Sequence, residues 1–263
     1  MIKVAGIPFD ANSSFLKGSS YAPRRIRLMD IDGSANAFAE NGLEVLNGVT
    51  YNDMGDINFA NTNPAAAYET IHSFVATQLM PDDKLLCLGG DHSISFPIIA
   101  AYAKQYPDLH ILHIDAHADL YDNFDDNPYS HASPFARIME AGLAQSLTQV
   151  GIRTLNTHQR EQAKRFGVHI TAMKDFTPAC IDAIKGPLYV SLDLDVLDPA
   201  FAPGVSHHEP GGLSTRQLLQ LLQNIKVPVV GADIVEYNPT RDVHNMTAMV
   251  AYKLLKELIA IMV

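Results

Sequence analysis

Cysteine is nearly absent from this chain of 263 residues, which contains only Cys87 and Cys180. The two lie far apart, without Cys-x-x-Cys spacing, and each is next to apolar residues. We therefore expect two small buried thiols in a protein of a reducing compartment.

Basic residues are also in short supply, with 19 Lys and Arg against 29 Asp and Glu and a net charge of −10. Without a basic surplus the chain has no strong attraction for polyanions, so we expect neither nucleic acid nor a membrane surface as a partner. The densest basic run, Arg24-Arg25-Ile26-Arg27, is interpreted as the exposed side of a short helix.

Long apolar runs are missing as well, since none approaches the ~20 residues that cross a bilayer. The chain begins directly with a strand-like run, Ile2 to Phe9, which is unlike a charged leader followed by an apolar segment. These features predict a cytoplasmic location. With 47% apolar and 18% charged residues, the composition is that of a globular protein. We expect one domain that spans residues 1–263.

Short apolar or β-branched runs alternate with helical patterns along the chain. The predicted strands lie in IKVAGIPF, KLLCLGG, LHILHID, LTQVGI, VHITAM, PLYVSLDLD and VPVVGADIV. The predicted helices open at Asn63-Pro64, Ser133-Pro134, Thr177-Pro178 and the capping-box pair Ser214 and Gln217, and a last one runs from about Val243 to Met262. This alternation predicts an α/β fold of three layers, with helices on both faces of a mostly parallel sheet.

Four of the predicted strands deliver acidic or imidazole groups at their carboxyl ends. GGDHS follows KLLCL, DAHAD follows LHILHI, the acidic LDLDVLDP follows PLYVS, and DIVEYNP follows VPVVGA. Ligands of parallel α/β sheets bind at this edge, so we expect the four clusters to meet there.

The every-second-residue spacing of Asp115, His117 and Asp119 resembles one face of a strand. In a straight strand, however, Asp115 and Asp119 would lie ~13 Å apart, too far for one metal centre. We therefore predict that the strand ends near Asp115 and that the chain curls, with His113 left in the strand and not a metal ligand. The alternative is an exposed, alternating edge strand.

The candidate metal ligands are His92, Asp115, His117, Asp119, Asp193 and Asp195. Four carboxylates that lie close together repel one another unless cations are present, and two divalent ions would neutralise them. An oxygen-rich set with two imidazoles and no thiolate favours Mn²⁺ over Zn²⁺. A bridged pair of ions lowers the pKa of a shared water, so hydrolysis is the expected reaction class. Taken singly, His92 could be a structural histidine, and Asp193 and Asp195 a strand-end hydrogen-bonding pair.

Two further residues are candidates for catalysis. His131 precedes a helix and could carry a proton to a leaving amine, or it could be a loop histidine bonded to backbone. Glu236 ends an apolar strand and could pair with a cationic substrate, or it could cap the next segment.

Together these motifs resemble the ureohydrolase (arginase/agmatinase) superfamily over nearly the whole chain. NPYSHASPFARIME, GVSHHEPGGLS and GADIVEYNPTRDVHNMTAMVAYKLLKEL are most similar to the plant-type arginase branch and its bacterial relatives. The resemblance implies an eight-stranded parallel sheet, trimers or hexamers of the chain, and two Mn²⁺ ions. It implies that His92, Asp115, Asp119 and Asp193 hold one ion and that Asp115, His117, Asp193 and Asp195 hold the other.

The resemblance also implies a mechanism in which a metal-bridging hydroxide attacks the guanidinium carbon of a small cationic substrate. Glu236 would pair with the guanidinium, and His131 would protonate the amine that leaves when the intermediate collapses to urea. Arginine is the favoured substrate, with agmatine, another guanidino compound or formimidoylglutamate as alternatives. A non-enzymatic alternative is a catalytically silent, metal-binding member. No GxGxxG motif or P-loop indicates nucleotide binding.

Two departures from the better-known members concern the substrate tail. Ser206-His207-His208 replaces a Gly-Thr-Pro loop, and we expect His207 to contact substrate and His208 to hydrogen-bond within the loop. Asn156 stands where animal-type arginases carry an Asp that recognises the α-amino group.

Overall fold

Eight parallel strands form the sheet at the centre of the protein. The computed structural model describes residues 1–32, 35–61 and 63–263. The strands are β1 (Ile2–Ile7), β2 (Tyr51–Asp56), β3 (Lys84–Gly89), β4 (His110–Ile114), β5 (Ser146–Ile152), β6 (His169–Ala172), β7 (Leu188–Asp193) and β8 (Val229–Val235). Their order across the sheet is β2-β1-β3-β8-β7-β4-β5-β6, and every neighbouring pair is parallel.

Helices cover both faces of this sheet. They are α1 (Ala22–Ile31), α2 (Pro64–Gln78), α3 (Ser95–Gln105), α4 (Pro134–Glu140), α5 (Thr157–Phe166), α6 (Thr215–Gln223) and α7 (Met246–Met262). Buried side chains of α1, α6 and α7 form one apolar core with the sheet, and those of α2 to α5 form a second. The predicted three-layer α/β/α fold is confirmed. None of the helices in the described part of the chain has both the length and the apolar character to cross a membrane.

Strand β2 is the one strand that the sequence patterns do not predict. Its sequence, YNDMGD, has no apolar run because only Tyr51 is buried at this edge of the sheet. Asp53 in β2 forms a two-point ion pair with Arg27 of α1, at 2.6 Å to Nε and 2.9 Å to Nη2. Arg27 therefore ties a helix to the edge strand, whereas the basic run was predicted to be an exposed face.

Most predicted helix starts are confirmed. Asn63 caps α2 by accepting hydrogen bonds from the amides of Ala65 and Ala66, and Pro134 begins α4. Ser214 and Gln217 form the predicted capping box of α6. Cys87 is buried as expected, while Cys180 is half-buried.

Two predicted helices differ from the structure. Thr177-Pro178 opens only a four-residue 3-10 turn, because the chain must reach β7 within a few residues. The last helix begins at Met246 rather than near Val243, since His244 and Asn245 have positive φ angles of 50° and 61°.

The capping box of α6 yields a stability prediction. Ser214→Ala removes the side-chain acceptor for the amide of Gln217, so we expect the free energy of unfolding to fall by about 1 kcal/mol. Urea denaturation followed by circular dichroism measures this change. Gln220→Ala, on the exposed side of the same helix, is the control and should leave the urea midpoint nearly unchanged. Equal midpoints for the two variants would contradict the prediction.

Candidate active site

The four polar clusters meet at the carboxyl edge of the sheet. They follow β3, β8, β7 and β4, which are the four neighbouring strands at the centre of the sheet order. His92 comes after β3, Asp115 after β4, Asp193 at the end of β7 and Glu236 just after β8. The expectation from the strand ends is confirmed, and the clusters form one site.

The chain curls after β4 as the distance argument predicts. The strand ends at Ile114, and Asp119 has a positive φ of 49°. Ala116 and Ala118 are fully buried, so the curl packs tightly against the sheet. As a result, Asp115 and Asp119 each place Oδ2 at 3.1 Å from Nδ1 of His92. The alternative of an exposed edge strand is wrong, because β4 lies between β7 and β5.

His92 directs an unpartnered nitrogen at three carboxylates. Its Nε2 is 2.9 Å from Oγ of Ser191, which lies 2.7 Å from the buried carboxylate of Asp233. Because a carboxylate only accepts, Ser191 donates to Asp233 and accepts the Nε2 hydrogen of His92. Nδ1 is then the lone-pair nitrogen. It has no hydrogen-bond partner among the described residues, although Asp115, Asp119 and Asp193 lie 3.1 to 3.2 Å away.

A second group of ligand atoms lies beside the first. Nδ1 of His117 is 2.8 Å from Oδ2 of Asp195 and 3.5 Å from Oδ1 of Asp115. One set of ligand atoms within 4.8 Å of one another comes from His92, His113, Asp115 and Asp119, and a second comes from Asp115, His117 and Asp195. Asp115 is common to both sets because its two oxygens face in different directions.

Burial and mutual repulsion disfavour the charges of two of the carboxylates, Asp193 and Asp195. Burial raises the pKa of Asp193 well above its usual range, and the charges of Asp195 and Asp115 add to that shift. Burial likewise raises the pKa of Asp195 to about 6, with His117 opposing the shift and Asp115 adding to it. A site that holds two carboxylates in this state favours cations strongly.

The donor set therefore fits divalent cations. Lone pairs of His92 Nδ1 and of three carboxylates converge on one point, an arrangement that is repulsive unless a positive ion lies between them. The ligands are oxygens and imidazole nitrogens, which suit hard or borderline ions. The structure brings all six predicted ligands together.

His113, in strand β4, supports the site through a hydrogen bond to Asp115. It is fully buried, and its Nε2 lies 2.7 Å from Oδ2 of Asp115. Its Nδ1 lies 2.9 Å from Nε2 of Gln149, which also donates to the carbonyl of Ala118 at 2.6 Å. The amide nitrogen must be a donor, so Nδ1 accepts and the Nε2 hydrogen of His113 goes to Asp115. His113 is thus occupied in orienting Asp115. Burial lowers the pKa of His113, which agrees with a neutral ring.

Glu236 and His131 form a pair beside the ligand cluster. Oε1 of Glu236 lies 2.8 Å from Nδ1 of His131 and accepts the main-chain N–H of His92 at 2.9 Å. Glu236 is buried with a positive φ of 64°. Burial lowers the pKa of His131, but the carboxylate of Glu236, together with those of Asp91 and Asp119, outweighs burial and raises that pKa to about 9. The pairing differs from both alternatives considered for these residues. Glu236 does not serve only to cap the next segment, and His131 does not bond to backbone alone.

A cavity of about 190 Å³ opens above these groups. Its walls include Asp119, Asp193, Asp195, His117, His131, His207 and Glu236. The sequence analysis did not single out its remaining wall residues, which are Ser14, Tyr121, Phe124, Ala132, Thr154 and Gln159. They lie on loops and at a helix start, where no periodic pattern marks them.

The two histidines after Ser206 face different surroundings. His207 lies in the cavity wall, with its ring centroid 5.4 Å from that of His131 and 5.8 Å from that of His117. His208 instead bonds through Nε2 to the carbonyl of Pro203 at 2.7 Å, within its own loop, as predicted. Asn156 caps α5 and donates to the hydroxyl of Tyr121 at 2.6 Å, so it contacts the cavity wall only indirectly.

The comparisons with known proteins agree with this geometry. Residues 1–260 match the sequence model of the Arginase family. The mitochondrial arginase 1 of Arabidopsis thaliana is 47% identical, over 97% of this chain and 79% of the relative. The solved arginase from Medicago truncatula superposes with a TM-score of 0.93 at 42% identity, over 99% of this chain and 87% of that one. An agmatinase of Bacillus cereus is 34% identical, over 98% and 90% of the two chains.

The same relatives overturn the predicted cytoplasmic location. The arginases of Arabidopsis thaliana and Medicago truncatula at 47% and 44% identity are named mitochondrial. The prediction is therefore wrong. The observations behind it do not distinguish one compartment from another. A low cysteine content suits any reducing compartment, and the first residues of a chain settle nothing about a leader.

Removal of one central carboxylate tests the cation site. Asp193→Ala removes a carboxylate whose Oδ2 lies 3.2 Å from Nδ1 of His92 and whose Oδ1 accepts the main-chain N–H of Asp195, so we expect Mn²⁺ binding in isothermal titration calorimetry to weaken by at least tenfold. Saturating Mn²⁺ should raise the melting temperature of the wild-type protein, because the ions bind only the folded chain. That rise should be lost in the variant.

The control for this prediction is Asp175→Ala, at an exposed carboxylate far from the cluster. It should bind Mn²⁺ like the wild type. Unchanged affinity in Asp193→Ala would contradict the assignment of the ligand cluster.

Proposed function

The chain belongs to the arginase family, and we propose that it hydrolyses L-arginine, with release of urea from the guanidino group. The observation that carries the proposal is the pairing of Glu236 with His131 at 2.8 Å beside the carboxylate cluster. A cation-pairing carboxylate, a proton carrier and a cation site then share one cavity. We further propose that residues 1–263 act as one catalytic domain.

We propose Mn²⁺ as the cofactor, with two ions per chain. His92, Asp115, Asp119 and Asp193 would hold one ion, and Asp115, His117, Asp193 and Asp195 the other. When bound, such a pair lowers the pKa of a water to near neutrality and so supplies the nucleophile for hydrolysis. The balance of nitrogen and oxygen ligands without thiolate supports Mn²⁺ over softer ions.

Glu236 is proposed to bind and orient the guanidinium group. Among the described residues its side-chain hydrogen bonds all involve Oε1, which His92 and His131 share. Oε2 is then available to accept from a guanidinium nitrogen. Burial opposes the charge of Glu236, but His131 and the amide of His92 keep its pKa below the usual range, so it is an anion when substrate arrives.

His131 is proposed to protonate the leaving amine. An amine is a poor leaving group until it accepts a proton, and an imidazolium supplies one near neutral pH. Nδ1 is engaged by Glu236, so Nε2 is the nitrogen that carries the transferable proton. A catalytically silent metal-binding protein would need neither this histidine nor the carboxylate that charges it.

Arginine is favoured over agmatine by two observations. The plant arginases at 44–47% identity are more similar than the Bacillus agmatinases at 34%. The cavity wall also offers hydroxyl, imidazole and amide groups, on Thr154, His207 and Gln159, to an α-carboxylate and α-amino group. Agmatine lacks the α-carboxylate. The predicted trimer or hexamer stays a prediction.

The direct test is to assay the Mn²⁺-loaded protein on three substrates side by side, with urea as the product measured from arginine and agmatine and formamide as the product measured from formimidoylglutamate. We expect kcat/KM for arginine to exceed that for agmatine by at least tenfold. Agmatine has no α-carboxylate, so it leaves polar groups of the cavity wall unpaired. Faster hydrolysis of agmatine would replace arginine with agmatine as the substrate. No product from any of them, with Mn²⁺ bound, would contradict the proposed activity.

His131→Asn separates catalysis from metal binding. The substitution removes the proton carrier but touches none of the proposed ligands, so kcat should fall roughly 10²- to 10⁴-fold while Mn²⁺ affinity is unchanged. Steady-state kinetics and calorimetry measure the two quantities. His169→Asn, in the exposed part of β6, serves as the control and should be fully active. An unchanged kcat in His131→Asn would rule out the proton-transfer role.

A further inference from the structure

Ser14 lies in a loop that follows β1 and covers the His131 side of the cavity. Residues 10–18, called here the N-terminal loop, are anchored at both ends. Asp10 accepts the amide of Gly18 at 2.7 Å, and Asp91 accepts the amide of Asn12 at 3.0 Å. The carbonyl of Asn12 in turn accepts the main-chain N–H of His131 at 3.3 Å. The loop and His131 are therefore fixed relative to each other.

Two groups of Ser14 contact the same nitrogen of His131. The main-chain N–H of Ser14 lies 3.1 Å from Nε2, and the hydroxyl oxygen lies 2.8 Å from it. The other ring nitrogen, Nδ1, is held by Glu236 at 2.8 Å. Nε2 is the nitrogen that exchanges its proton with the leaving amine, so Ser14 lies at the reactive end of the ring.

The two groups suit opposite protonation states of the imidazole. A main-chain N–H can only donate, and it therefore pairs with the lone pair of a neutral Nε2. A hydroxyl oxygen can accept, so it pairs with the Nε2 hydrogen of the imidazolium. Nδ1 donates to Glu236 in both states. The ring thus has a full set of partners before and after it loses its proton, without rotating.

We propose that Ser14 is a positioning residue that holds His131 in one orientation through its protonation cycle, with the hydroxyl as the partner of the charged ring. This inference rests on the proposed function. When the C–N bond of the substrate breaks, the electron pair goes to the amine nitrogen, which takes the Nε2 proton. Nε2 then accepts from the Ser14 N–H, and the water consumed in hydrolysis returns the proton to His131.

Other charged or titratable groups also face His131. They are Glu236, Asp91 and Asp119, whose charges raise its pKa, and His207, which lies 5.4 Å away between ring centroids. None of them contacts Nε2 in the described structure, so a change at Nε2 isolates the contribution of Ser14.

Ser14→Ala tests the inference because it removes the hydroxyl but keeps the main-chain N–H. The imidazolium loses its acceptor, so its charged form is less stable and the pKa of His131 should fall by about one unit, a tenfold change. An acid catalyst loses activity as pH rises through its pKa, so the alkaline limb of kcat should move to lower pH by the same amount. The KM for arginine and the Mn²⁺ affinity should remain within about twofold of wild type.

The pKa of His131 is measured independently of activity by NMR titration of the metal-free protein, assigned with His131→Asn. Ser13→Ala is the matched control, since the Ser13 hydroxyl lies 3.4 Å from Asp91 and does not contact His131. Ser14→Thr retains a hydroxyl and should restore both the pKa and the alkaline limb. Ser14 is exposed, so these substitutions leave the core intact.

Two results would overturn the inference. One is a pKa of His131 and a pH profile in Ser14→Ala that equal those of Ser13→Ala. The other is a loss confined to KM or to Mn²⁺ affinity, which would make Ser14 a binding or structural residue. If the wild-type protein proved inactive on every guanidino substrate, the proposed function would fail, while the NMR titration would still decide whether Ser14 sets the state of His131.

Discussion

The mutual repulsion of buried carboxylates is the constraint on which the rest of this structure depends. One nitrogen of His92 is surrounded by the carboxylates of Asp115, Asp119 and Asp193. A fourth carboxylate, that of Asp195, lies 2.8 Å from Nδ1 of the neighbouring His117. In the described structure the bases in contact with these four carboxylates are three imidazoles, those of His92, His113 and His117, which can balance only part of the negative charge. The site is therefore most stable with divalent cations. The surrounding residues hold the carboxylates close together even when no cation offsets their repulsion.

The parallel sheet makes this concentration of charge possible. Adjacent strands end at the same edge, so four loops deliver ligands to one point while the strands beneath stay apolar. Buried polar groups then fix each ligand: Asp233 acts through Ser191 on His92, and Gln149 acts through His113 on Asp115. Away from the proposed metal ligands, Glu236 and Ser14 contact the two ring nitrogens of His131 in the same way. His92, Asp115 and His131 therefore each have a second residue that determines their direction, an arrangement that is general for metal sites.

The sequence predicts which charged side chains cluster better than it predicts the residues that support them. The clustered side chains can be recognised in the sequence because charged residues at strand ends interrupt the apolar pattern. The distance between Asp115 and Asp119 in a straight strand also predicts the curl that the structure contains. Gln149 and Asp233 lie within strands, where a single polar residue has no spacing to interpret. Ser14 is brought to His131 by a contact across 117 positions of the chain, and β2 lacks the apolar run that marks a buried strand. Such pairings depend on tertiary structure, which local patterns do not encode.

The most direct test of the account is crystallographic. Crystals of the protein grown with Mn²⁺ should show two anomalous-difference peaks at the Mn absorption edge, both in contact with carboxylate oxygens of Asp115 and Asp193. One peak should also contact Nδ1 of His92, and the other Nδ1 of His117. A map with no peak among these residues at saturating Mn²⁺, or with a single peak bound by His113 in place of His92, would contradict the claim that repulsion between the carboxylates is relieved by a pair of cations.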